Sequence, residues 1–204
     1  DQPRSRGLGD VYKRQSLAGE GAIGASGSIT FNNGSIIRAD GSTTGALTVA
    51  GNLTLNATTN VAVEMVPATT SLATTIRVLN YNGTLTGSAA NLALQNSSNY
   101  RNPVLSTATA NQVDLTIDTK ALTWSGSSAA WDINTSSNWN EGAEKFYTGD
   151  AITFTDAGTN KNVTLTVSVL PASTTFANST GNDYALTGAG AITGSSALTK
   201  SNTG

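Results

Sequence analysis

The chain has 204 residues, of which 38% are hydrophobic and only 12% charged; its formal net charge is −2, and it has neither cysteine nor histidine. Those two absences exclude a thiolate nucleophile, an imidazole base, His/Cys metal sites and disulfides. No apolar run approaches the ~18 residues of a membrane-spanning helix.

Residues 5–15 read SRGLGDVYKRQ. A back-translation of these eleven residues resembles a transposon-based sequencing-library adapter read in frame, ending in the transposase recognition end. Residues 1–15 are therefore expected to be adapter-derived, contributing nothing to the fold, and are set aside. The true sequence is expected to start at Ser16 inside a longer reading frame, so the lack of a signal peptide carries no information about secretion. Without residues 1–15, seven basic and eleven acidic residues remain, a net charge of −4. No basic run survives to form the clustered footprint that nucleic acid needs.

From Gly27 onward the pattern has period two. Ile29 and Phe31 are followed, past the Asn33-Gly34 turn, by Ile36; then come Leu47/Val49, Leu53/Leu55 and Val61/Val63/Met65. Each short run alternates an apolar residue with Thr or another small residue, the signature of a half-buried strand, and Gly, Asn or Asp-Gly separates the runs. Ile76, Val78 and Leu79 follow, then Leu85, Leu92/Leu94 and Val113/Leu115/Ile117, with Pro67 and Pro103 between runs. No sustained helical period occurs, so helix is predicted to be essentially absent. Many short strands fit a sandwich, a barrel or a solenoid. Ser, Thr and Asn at corners with a narrow aliphatic interior favour a solenoid, whose repeats bury a core only by stacking. The recurring spacing is about 18–22 residues, as from Ile29 to Leu47, Leu165 to Leu186 and Thr174 to Ile192.

The stretch 122–156, LTWSGSSAAWDINTSSNWNEGAEKFYTGDAITFTD, breaks this monotony. It holds all three tryptophans (Trp124, Trp131, Trp139), Phe146, Phe154 and five acidic residues. Large aromatics dominate core energetics when buried, so a compact nucleus is expected here. Beyond it the alternating style returns in NVTLTVSV, STTFAN, YALTG, AITG and ALTK.

Residues 122–204 resemble bacterial autotransporter-associated β-strand repeat proteins. Their spacer pattern is matched by Thr123-Trp124-Ser125-Gly126, Trp131-Asp132, Asn138-Trp139, Phe146 and Gly149-Asp150-Ala151-Ile152-Thr153-Phe154. The repeat pattern is matched by Gly188-Ala189-Gly190-Ala191-Ile192-Thr193-Gly194 and by the stretch from Ala197 to Gly204. There Ala197 and Asn202 replace two expected glycines. The resemblance implies an all-β, right-handed parallel β-helix or β-solenoid in a large, secreted or surface-anchored passenger. Residues 16–121 would end one array, 122–159 would form the tryptophan-containing spacer, and 160–204 would begin the next, truncated array. Residues 16–121 match the family in style only.

The resulting expectation is a non-catalytic structural or adhesive segment, extracellular or on the bacterial cell surface in association with the outer membrane. It needs no cofactor and reaches a membrane only through segments outside this chain. Its partners would be host or environmental surface glycans. A different reading makes Trp124, Trp131 and Trp139 a sugar-stacking platform of a carbohydrate-binding module, with Asp132 and Asn138 bonding hydroxyls. Convergence inward, against Phe146, Ile152 and Phe154, uses the chain's only large apolar payload and is the arrangement expected. The carboxylates Asp132, Glu141, Glu144, Asp150 and Asp156 raise the question of a calcium site or a glycosidase pair. They lack any calcium-loop series, and Asp150 after Gly149 reads as a turn residue. A β-helical polysaccharide lyase would need a basic residue beside an acidic cluster. Arg38, Arg77, Arg101, Lys120, Lys145, Lys161 and Lys200 are scattered singly in the sequence, and Arg38, Arg77 and Arg101 have no acidic cluster nearby. The Asn-x-Ser/Thr triplets at Asn52, Asn56, Asn82, Asn162 and Asn178 are expected by chance in so Asn- and Thr-rich a chain.

Overall fold

The structure is a computed structural model that describes residues 16–17, 22–23, 27–39, 46–56, 60–65 and 73–204. The adapter-like residues 1–15, with Val11 and Tyr12, lie outside the described residues, as do Asp40, Pro67 and the ends of several runs.

The first strands are β1 (Ser16–Leu17), β2 (Ala22–Ile23), β3 (Ile29–Asn32), β4 (Ile36–Ala39), β5 (Thr48–Val49), β6 (Leu53–Asn56), β7 (Val61–Met65), β8 (Thr75–Tyr81), β9 (Leu85–Thr86) and β10 (Leu92–Leu94). Pairing joins every third one. β1, β4, β7 and β10 form one parallel sheet; β2, β5 and β8 lie in a second; β3, β6 and β9 form a third. The chain therefore visits three sheets in turn and returns to each one strand further along.

Register places like on like. Ile29 pairs with Leu53 and Leu53 with Leu85, while Thr30, Thr54 and Thr86 form the adjacent column. Asn32 sits opposite Asn56, whose amide donates to the Asn32 side-chain oxygen at 3.2 Å. Arg38 sits opposite Glu64 in an ion pair of 2.8 Å. The alternation read in the sequence thus sets which face each residue takes: Phe31, Leu53, Leu55, Val61 and Val63 are buried, and their Thr or Asn neighbours are not.

Two short 3-10 turns, Ala89–Asn91 and Ser97–Asn99, lead into β11 (Arg101–Ser106) and β12 (Gln112–Asp118). These two strands are antiparallel to each other, and β12 lies antiparallel on β8. This hairpin departs from the all-parallel array expected of residues 16–121. It covers a β8 edge that would otherwise present unpaired backbone. Arg77 and Asp114 are opposite one another and pair at 2.5 Å, beside a register shift between Val113 and Asp114.

The second run comprises β13 (Ala121–Thr123), β14 (Ala130–Trp131), β15 (Ala151–Phe154), β16 (Asn162–Leu165), β17 (Ser173–Phe176), β18 (Ala185–Gly188) and β19 (Ala197–Lys200). Odd-numbered members form one parallel sheet and even-numbered members another, so the chain alternates between them. A parallel bridge from Val169 to Ile192 links a third side. A Thr column recurs, Thr123, Thr153, Thr175 and Thr199, while Thr174 interrupts the aliphatic column of Leu122, Ile152 and Leu198. Phe154 pairs with Phe176, their rings stacked at 4.7 Å and 7°.

The spacing differs from the one read in the sequence. Ile29 stacks on Leu53 rather than Leu47, Thr174 on Leu198 rather than Ile192, and Leu165 faces Gly188 rather than Leu186. From β15 onward, bonds between successive layers span 22 to 25 residues, whereas the tryptophan segment sets β13 and β15 30 residues apart and β14 and β16 34 apart. Strands on neighbouring sheets carry the same I-T-F or L-T-V text, so a sequence neighbour mimics a stacking partner.

Two hydrophobic clusters result. One draws on Phe31 through Ile117 and also takes Leu170; the other draws on Leu122 through Val169, so β13–β16 feed a single core. No helix of the described residues is long and apolar enough to cross a membrane.

Candidate functional site

The three tryptophans converge inward. Trp124, Trp131 and Trp139 are 0–1% exposed, as are Phe146 and Phe154. Trp131 meets Trp139, Phe146 and Phe154 edge-on at 5.5, 5.6 and 5.6 Å, and Trp124 meets Trp139 at 5.0 Å. These are the edge-to-face distances that aromatic quadrupoles favour. Trp124 Nε1 donates to the Asn160 carbonyl at 2.8 Å, whereas Trp131 Nε1 is buried without a partner. Gly126 makes the close packing possible. Its φ is +72°, and a Cβ there would lie 2.6 Å from Asn160 N and 2.9 Å from Trp124 Nε1.

A pyranose cannot stack on a ring face that other side chains already fill, so the tryptophans offer no platform in this conformation. Their polar neighbours are occupied too. Asp132 accepts from Ser136 N at 2.8 Å and Ser136 Oγ at 2.6 Å. Asn138, almost wholly buried, accepts from Ser128 N at 2.7 Å and donates to Ser128 Oγ and to the Ala130 carbonyl. Both side chains tie the loops between the tryptophans together.

The other carboxylates part company. Glu141 is exposed in a left-handed turn (φ 61°) beside a cleft lined by Thr123, Trp124, Asn140 and Thr159. Asp156 accepts from Ser179 N and Oγ, both at 2.7 Å and one layer on; those bonds hold its carboxyl below the usual carboxylate range. Among the described residues no three His, Cys, Asp or Glu side chains group as metal ligands would.

Asp150 and Glu144 do meet, and they meet on Arg101. Asp150 is fully buried and takes three donors: Lys120 N at 2.8 Å, Tyr147 N at 2.9 Å and Arg101 Nη2 at 2.9 Å. Arg101 Nη1 reaches Glu144 at 3.2 Å, Nη2 also donates to the Lys145 carbonyl at 3.1 Å, and Lys120 Nζ closes on Glu144. Burial alone would lower the Arg101 pKa; the bond and charge of Asp150, then Glu144, outweigh it and raise it. Glu144 is held below its usual value chiefly by the Lys120 hydrogen bond. The sequence had left Arg101 without an acidic cluster. The structure corrects this, because its partners lie 43 and 49 residues away, a separation no local pattern reports.

Beside this clasp lies a groove of about 700 Å³. The hairpin supplies Arg101, Asn102 and Asp118, and the tryptophan segment supplies Asn134 and Tyr147. The Arg101 guanidinium lies over the Tyr147 ring at 4.4 Å, and Tyr147 Oη donates to Asn134 Oδ1 at 2.7 Å. Asn134 Nδ2 continues to the Ser98 carbonyl at 3.0 Å. Burial raises the phenol pKa of Tyr100, which also lines the groove. No local pattern points to this groove, since its walls come from five separate stretches of the chain. No protein-family model, no curated protein and no solved structure matches the chain.

Proposed function

We propose that the chain is a non-catalytic structural segment of a large secreted or surface-displayed bacterial protein. Its two parallel runs are β-solenoid arrays of the autotransporter-associated β-strand repeat kind, right-handed as parallel crossovers nearly always are. The observation that carries this reading is the cyclic strand order, three sheets visited in turn in the first run and two in the second, with a column of stacked Thr in each. An array of this kind transmits length and stiffness, because each layer hydrogen-bonds the next along the whole rod. The Arg101–Asp150 clasp and Leu170, which packs into the first cluster, hold the two arrays in one fixed relation. Stacking interactions are local, so such a rod can form progressively as the chain emerges from a membrane. The lack of cysteine suits that passage.

The test is display. Placed between a secretion signal and an outer-membrane β-barrel, the chain should reach the outside of intact cells, where antibody binds it and added protease removes it. A folded, protease-resistant chain held in the periplasm would contradict the proposal.

A further inference from the structure

We infer that the groove between the β11–β12 hairpin and the tryptophan segment is a binding site for a short neutral oligosaccharide. A volume of about 700 Å³ is that of a small-molecule site, and its wiring is built rather than incidental. Asn102 and Asn134 both line it with left-handed backbone, φ 44° and 52°. Strained backbone of this kind persists where surrounding structure fixes it, and it gathers at binding sites. The chain from Ser98 through Asn134 to Tyr147, capped by Arg101, fixes these side chains before any ligand arrives. Pre-ordering of this kind lowers the cost of association.

Charge decides the ligand class. Arg101 gives its guanidinium to Glu144, Asp150 and the Lys145 carbonyl, and Lys120 is bound to Glu144. Among the described lining residues both cations, Arg101 and Lys120, are already paired with carboxylates, which disfavours a phosphate, a nucleotide or an acidic sugar. The exposed Asp118 would repel such an anion as well. An apolar ligand fits no better, because amides, hydroxyls and a carboxylate share the lining with Tyr100, Tyr147 and Pro103. A ligand with many hydroxyls and flat aliphatic faces matches both halves of that wall, and a pyranose has that chemistry. Asp118 Oδ2 accepts from Asn102 Nδ2 at 2.8 Å, which leaves Asp118 Oδ1 and the Asn102 side-chain oxygen to accept sugar hydroxyls. The site is distinct from the buried tryptophans, and it can exist whether or not the arrays serve in surface display.

The experiment titrates the full chain, by amide chemical-shift mapping, with neutral trisaccharides of glucose, mannose and N-acetylglucosamine and with trigalacturonate as the acidic comparison. At least one neutral trisaccharide should bind, with shifts gathered at Tyr100, Asn102, Asp118, Asn134 and Tyr147. Asp118→Ala and Asn102→Gly, the latter chosen because glycine accepts the positive φ, should each weaken binding about tenfold or more. Both residues are exposed, so the melting temperature of each variant should match the parent. Glu141→Gln, at the other cleft, should bind as the parent does. The inference is overturned if no neutral trisaccharide shifts these resonances at about 10 mM, or if the shifts gather around Thr123 and Glu141. Preference for trigalacturonate, or full affinity in both Asp118→Ala and Asn102→Gly, would overturn it equally.

Discussion

Trp131→Ala should unfold the second cluster while leaving the first largely intact. The side chain is wholly buried and meets three other aromatic rings, Trp139, Phe146 and Phe154, within 5.6 Å. Truncating a buried Trp costs about 3–5 kcal/mol, as transfer energy is lost and a cavity is left. A domain's whole margin is about 5–15 kcal/mol. Neighbours cannot collapse into the gap, because Trp124 is anchored to the Asn160 carbonyl and Phe154 is stacked on Phe176. Urea unfolding followed by near-ultraviolet circular dichroism should show the aromatic signal lost at much lower denaturant. Trp131→Phe is the informative companion. It keeps a ring in place and removes a buried N–H that has no partner, so it should cost far less than alanine. Trp124→Phe, by contrast, forfeits a real hydrogen bond. A Trp131→Ala protein that melts like the parent would mean the cluster is not the nucleus of this half.

Asp150→Ala should be as damaging, for an electrostatic reason. Its carboxylate satisfies Lys120 N, Tyr147 N and Arg101 Nη2 at 2.8–2.9 Å, with no access to water. Removing it strands two buried backbone donors and leaves the Arg101 guanidinium only Glu144 and the Lys145 carbonyl. Breaking one side of a buried pair costs about 3–5 kcal/mol, because the partner stays buried and uncompensated. Arg101→Met should cost less, since Asp150 keeps two N–H donors and the thioether fills much of the arginine's volume. Thermal melts of Asp150→Ala, Arg101→Met and the double variant measure this asymmetry. The double variant should recover part of the Asp150→Ala loss, because the under-compensated charge has gone. Equal losses in the two single variants would contradict the assignment of Asp150 as the hub.

Much of the strand content was legible because the period-two pattern is a direct consequence of the pleat. Ile29/Phe31, Leu53/Leu55 and Val61/Val63 take one face, as their alternation requires. The inward turn of the tryptophans was legible too, from the scarcity of any other large apolar residue. The layer spacing was misread for the same reason that the fold works: Thr-flanked aliphatic triplets suit every sheet, so the text does not say which triplets stack. The antiparallel hairpin escaped because Pro103 was expected between runs, whereas it lies inside the edge strand Arg101–Ser106, where a missing amide donor is tolerated; Gln112–Asp118 alternates like its parallel neighbours. The clasp and the groove escaped because their residues are joined only by the fold. Arg101 looks solitary until the chain returns with Glu144, Tyr147 and Asp150.

The central claim is that, within each array, strands of successive layers lie parallel and in register. It is tested most directly by a cysteine pair at Thr153 and Thr175, register partners in adjacent layers that are only partly buried. Parallel neighbours lie about 4.7–4.9 Å apart, within the Cα separation of about 4.4–6.8 Å that a disulfide spans. The chain has no cysteine of its own, so the only thiols are those introduced. Thr153→Cys/Thr175→Cys should oxidise rapidly to an intramolecular disulfide in the folded protein. Thr153→Cys/Thr174→Cys, shifted by one residue onto the buried face, should stay reduced. Oxidation of the shifted pair in preference to the in-register pair, or disulfides only between molecules, would contradict the stacked arrangement.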